Sequence, residues 1–72
     1  MIVYTPFWKT LKNSKESTYT LITKHGISSN TLNRMRKGLP LSTVTINDLC
    51  RIFNCSVNDI IEYIPSTEDQ SL

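Results

Sequence analysis

A serine or threonine stands immediately before each apolar, helically spaced segment of this chain, at Thr5, Ser17, Ser28, Ser42 and Ser56. A hydroxyl in that place accepts a bond from a backbone N–H two or three residues on, which has no partner within the helix itself. Five such starts in 72 residues predict short helices and leave no room for long ones. Thr5 followed by Pro6 reads as an N-cap and first helical position, with Phe7, Trp8 and Leu11 on one apolar face through about Asn13. Ser17 opens a second helix with Leu21 and Ile22 inward, stopped by Gly26. Ser28 opens a third, with Leu32 and Met35 at helical spacing, stopped by Gly38. After Leu39-Pro40, Ser42 caps a fourth that carries Ile46, Leu49, Cys50 and Phe53 on one side. Ser56 opens a fifth, where Asp59 completes a capping-box pattern and Val57, Ile60, Ile61 and Ile64 form the stripe before Pro65. Strand signals are limited to a short extended segment over Met1–Tyr4. The expected fold is all-α, a compact bundle of five short helices over residues 1–65, with a disordered tail over 66–72.

A chain this short buries only about 60% of its unfolded surface, so its core is thin and is closed by short helices or by a partner chain. No apolar run approaches the roughly 18 residues of a membrane span, and Met1–Thr5 lacks the features of a signal peptide. Two cysteines are too few for a secreted disulfide scaffold, so a cytoplasmic setting is expected, without membrane contact. Charge is distributed unevenly. Residues 1–47 carry seven basic side chains and one acid, Glu16, whereas residues 48–72 carry Arg51 against Asp48, Asp59, Glu62, Glu68 and Asp69. From Ser17 to Asn47 there is no acid at all. A stretch kept free of carboxylates presents a positive face, for which a polyanion is the natural partner.

Residues 18–38, TYTLITKHGISSNTLNRMRKG, place two short helices around a turn containing Gly26, with Leu21, Ile27, Leu32 and Met35 inward. That is a helix-turn-helix pattern, in which glycine permits a backbone conformation other residues resist. The outer face of the second helix carries Ser29, Asn30, Asn33, Arg34 and Lys37, and such amides, hydroxyls and guanidinium groups read base edges in the major groove. Together with the later run STVTINDLCRIFNCSVNDIIEYIP, this stretch resembles the Xre family of phage-repressor-like helix-turn-helix regulators, and in particular its short stand-alone bacterial members. The resemblance covers about residues 6–65. It implies a phage-repressor-like DNA-binding domain whose recognition helix runs from about Ser29 to Lys37. It further implies that Ser29, Asn30 and Arg34 read bases, with Asn33 close by, and that Ser17, Thr18, Ser28, Arg36 and Lys37 face phosphates. The family usually has a small residue where Ile22 stands and a glutamine where Thr18 stands.

Thr45–Tyr63 also reads as two helices around a tight turn, but Asn58, Asp59 and Glu62 would face DNA there, and phosphates repel acids. That pair is expected to pack the core and mediate subunit contact. One recognition helix reaches only a few base pairs, so a homodimer on two half-sites is expected. Ile61, Tyr63 and Ile64 are the expected interface, because the last helix has more isoleucine than its inward face needs. An interaction module of another class, an antitoxin-like partner with secondary DNA binding, is the alternative reading. The spacing of Cys50 and Cys55 is neither that of a CxxC redox pair nor that of a zinc site, and Cys50 reads as a small hydrophobe. No paired carboxylates, no nucleophile with a base at plausible spacing and no glycine-rich phosphate loop is present, so neither catalysis, a cofactor, a metal nor a small-molecule ligand is expected.

Overall fold

The computed structural model describes residues 1–71; of the tail expected over 66–72, Leu72 lies outside the described residues. Among the described residues four α-helices follow one another: α1 (Thr5–Lys12), α2 (Thr18–Thr23), α3 (Ser29–Arg36) and α4 (Thr43–Phe53). Two dipeptide strands, β1 (Ile2–Val3) and β2 (Glu62–Tyr63), pair antiparallel with Ile2 opposite Tyr63 and Val3 opposite Glu62. The hydroxyl caps hold at three of the five starts. Ser17, Ser28 and Ser42 each accept a bond from the backbone N–H three residues on, at Thr20, Thr31 and Thr45. Ser17 and Thr20 close a reciprocal box, since Thr20 Oγ1 also accepts from the Ser17 N–H at 2.8 Å.

Thr5 is not a cap. The helix already includes it, and Tyr4 stands at the N-cap with no side-chain bond to the helix. Tyr4 is 6% exposed and its hydroxyl is drawn elsewhere, donating to Leu39 O at 2.6 Å.

The expected fifth helix is a single 3-10 turn, Val57–Asp59, followed by β2, so the bundle has four helices and a two-stranded ribbon rather than five helices. The local start signal is obeyed: the Asp59 carboxylate accepts from the Ser56 N–H at 3.2 Å. It carries the chain for one turn only. Beyond it stand Ile60, Ile61, Tyr63 and Ile64, residues that lose side-chain freedom in a helix and suit a strand, and Pro65 pushes the residue before it toward extended backbone. The chain start then offers partners that a helix would forgo, with Ile64 N donating to Met1 O at 2.8 Å.

Tyr4, Phe7, Leu21, Ile27, Leu32, Met35, Leu49 and Ile60 form the core, one or two residues from each helix with Tyr4, Ile27 and Ile60 from the segments that flank them. Phe7 sits at its centre, edge-on to Trp8 (4.8 Å between centroids) and to Phe53 (6.0 Å), so α1 and the end of α4 share one aromatic contact. Ile22, expected inward, is 39% exposed. Leu21 alone fills the inward position of α2, and the extra bulk of Ile22 goes to solvent.

Two helices end in the same way. After α3, Gly38 has φ 71°, Gly38 N donates to Met35 O and Leu39 N to Arg34 O. After α4, Asn54 takes φ 51° and ψ 52°, Asn54 N donates to Arg51 O and Cys55 N to Cys50 O. Each is a Schellman motif, a left-handed residue followed by a bond reaching back across the last turn. Glycine enters that conformation freely, and asparagine is among the few others that tolerate it. Among the described residues no helix is long and apolar enough to cross a membrane.

Candidate nucleic-acid interface

Helix α2 ends at Thr23 with Lys24 as its C-cap, and Gly26, at φ 73°, then turns the chain sharply. Ile27 N donates to Leu21 O at 2.9 Å, and the Ile27 side chain is driven into the core, which fixes where Ser28 starts α3. Helix α3 then divides by face. Leu32 and Met35 are buried, at 1% and 2% exposure, while Ser29, Asn30, Asn33, Arg36 and Lys37 are exposed and Arg34 is half-buried. Asn30, Asn33, Arg34 and Lys37 stand three or four apart and line one side of the helix.

Within this set the structure already binds several members to one another. Ser28 Oγ shares a hydrogen with Thr31 Oγ1 at 2.9 Å as well as capping the helix. Arg36 Nη1 donates to Asn33 Oδ1 at 2.8 Å, and its guanidinium carbon lies 5.5 Å from the Trp8 ring centroid. Arg36 thereby orients the Asn33 amide so that its NH₂ is left to donate outward. A cation over an indole face is attracted by the ring's negative face, which ties the outer side of α3 back to α1.

Arg34 is tied too, but only by one edge. Its Nε and Nη2 both donate to Pro40 O, at 3.2 and 2.8 Å. A guanidinium has five N–H groups in a fixed fork, so the end-on pair, Nη1–H with the second Nη2–H, remains free for another bidentate acceptor. The loop that receives Arg34 is held from the other side by the Tyr4 hydroxyl on Leu39 O. Burial pushes the Tyr4 phenol above its ordinary pKa, opposed in part by the nearby Arg34 charge, so the hydroxyl keeps the proton it donates. This two-sided clasp fixes the loop after α3, and sequence reading missed it because Tyr4 and Leu39 are 35 positions apart.

Glu16, the one acid among residues 1–47, does not oppose the positive face as a free charge. Its Oε1 accepts from Thr20 Oγ1 at 2.8 Å and lies 3.2 Å from His25 Nε2. The Thr20 hydrogen bond first, with His25 and Lys24 nearby, holds its carboxyl below the usual range. Ser17 sits at the start of α2 with Thr18 beside it, exposed and half-buried respectively. The residues expected to meet a second subunit lie on the last segment: Ile61 is half-buried against the core, whereas Tyr63 and Ile64 are exposed at 61% and 41%.

The sequence model of a family described as the Cro/C1-type HTH DNA-binding domain matches residues 7–66. The crystal structure of the transcriptional regulator VanUg, Form II, is similar at a TM-score of 0.79 and 28% identity, over 90% of this chain and 87% of that one. No curated protein matches the chain.

Proposed function

This chain belongs to the Cro/C1-type helix-turn-helix DNA-binding family, and from that premise we propose that it is a sequence-specific transcriptional regulator which binds duplex DNA as a homodimer. Helix α3 enters the major groove. Ser29, Asn30, Asn33 and Arg34 read base edges there, while Ser17, Thr18, Ser28, Arg36 and Lys37 meet the phosphates on either side. The observation that carries this reading is the free end-on edge of Arg34. Pro40 O fixes one edge of the guanidinium, and the other has the geometry that matches guanine O6 and N7 together. A side chain positioned in advance loses less freedom on binding than one that must be ordered there. Two copies are invoked because one helix reads only a few base pairs, and exposed Tyr63 and Ile64, with Ile61 beside them, supply an apolar patch for the contact.

Arg34 and Lys37 test the reading because they should fail differently. Arg34→Ala is expected to cost about 1–3 kcal/mol on the operator and to relax preference at one base pair per half-site. Lys37→Ala is expected to weaken operator and unrelated DNA by similar factors, as loss of a phosphate contact does. Competition binding against single-base operator variants distinguishes them. If Arg34→Ala lowers every affinity equally and keeps the parent's base preferences, Arg34 serves only the Pro40 loop and the assigned register is wrong.

A further inference from the structure

The Schellman motif that ends α4 has a consequence for its two cysteines. In this motif the residue that receives the long backbone bond and the residue that donates it bring their side chains together, usually as an apolar contact. Here those residues are Cys50 and Cys55, joined by Cys55 N donating to Cys50 O at 3.0 Å. With that bond in place the fixed bend at the Cys50 carbonyl carbon keeps their Cα atoms within roughly 6.9 Å even if the other linking atoms lay in line, and the bend at the Cys55 nitrogen shortens this further. Disulfides span Cα separations of about 4.4–6.8 Å. Both thiols are free and half-buried, so a small reagent can reach them. A metal is poorly served, because among the described residues no group of three or more His, Cys, Asp or Glu side chains converges, and structural zinc takes four ligands.

We propose that Cys50 and Cys55 form a dithiol modification site that closes to a disulfide by exchange with a low-molecular-weight disulfide. One thiolate attacks a sulfur of the reagent, forming a mixed disulfide and expelling one thiol. The second thiolate attacks the protein-bound sulfur of that mixed disulfide, forming the Cys50–Cys55 bond and expelling the second thiol. The protein pair loses two electrons, the reagent gains them, and the two protons leave on the two released thiols. Asn54 enables the reaction sterically, since its left-handed backbone is what turns Cys55 back onto Cys50. Burial first, then the neighbouring Cys50 thiol and Asp59, push the Cys55 thiol above its usual pKa. Thiolate is the attacking form, so closure is expected to be slow at neutral pH and to accelerate as pH rises.

The test is to equilibrate the full chain with mixtures of glutathione and its disulfide at mildly alkaline pH, then trap free thiols by alkylation and weigh the products. The expected product is two hydrogens lighter than the parent and carries no glutathione, whereas Cys50→Ser and Cys55→Ser each retain one glutathione. Because any near pair closes to some extent, the same titration is run in concentrated urea. The folded chain is expected to favour the disulfide at least about tenfold more than the unfolded one, since the fold raises the effective concentration of one thiol at the other. An equal or lower constant in the folded chain, or a parent that stops at the glutathione adduct, overturns the proposal.

Discussion

Raising the salt concentration from 50 to 200 mM is expected to weaken operator binding about a thousandfold, the result that the proposed dimer would give with about three phosphate contacts per subunit. Each contact releases condensed counterions from the duplex, so log K falls against log salt with a slope of about −0.9 per contact, or about −5 for the dimer. The chain is built for such an interface. Residues 17–47 hold no acid, and Glu16, beside them, accepts from Thr20 and lies against His25. Exposed Lys37 and Arg36 stand at the end of α3, and Ser17 and Ser28 at the starts of α2 and α3. Non-specific DNA should show nearly the same slope, because the phosphates are the same. A fluorescence-anisotropy titration series in potassium chloride measures it, and a slope close to zero would mean that this face does not meet the backbone.

Phe7→Ala is expected to remove a large part of the stability the chain has. Phe7 is fully buried, packs edge-on against Trp8 in its own helix and joins α1 to Phe53 of α4. Truncating a buried phenylalanine costs about 3–5 kcal/mol, through lost burial and the cavity left behind. A domain of this length has only about 4–11 kcal/mol in total, at roughly 0.05–0.15 kcal/mol per residue. Val57→Ala, at a site 49% exposed, should cost less than about 0.5 kcal/mol. Urea melts of both variants compare them. A loss below about 1 kcal/mol for Phe7→Ala would mean that α1 is not part of the same core.

What the sequence disclosed, and what it withheld, divides by distance along the chain. Helices α2, α3 and α4 were legible because their signals are local: a serine accepts a bond three residues on, and glycine or asparagine permits the left-handed exit. The segment after Ser56 carries an equally clear start signal, yet it yields one turn. There the outcome depends on Ile2 and Val3, which lie about sixty positions away and pair with Glu62 and Tyr63. The clasp on the loop after α3 escaped notice for the same reason, since it joins Tyr4 to Leu39. The face of α3 was readable from the spacing of Leu32 and Met35. That Arg36 turns to Trp8 and Asn33, and that Arg34 reaches Pro40, depends on side-chain geometry that spacing does not contain. The cysteine pair is an intermediate case. Its spacing matches no familiar redox or zinc pattern, but Asn54 between a helical run and Cys55 is the local signal of the turn that unites them.

The β1–β2 ribbon also bears on the order in which the molecule assembles. Closing a loop of some sixty residues costs more chain entropy than closing the five- and six-residue connections between the helices, and contacts that are distant in sequence tend to form late. Helices α2 and α3, with the Gly26 turn between them, meet through neighbours in the sequence and can organise first. The ribbon rests on two residues from each strand, with Ile2 and Tyr63 open to solvent, so it is the last part to zip and the first to fray. Amide exchange should therefore be fast at Ile2–Val3 and Glu62–Tyr63 and slow at Leu32 and Leu49, leaving the helix-turn-helix intact while the chain ends open and close.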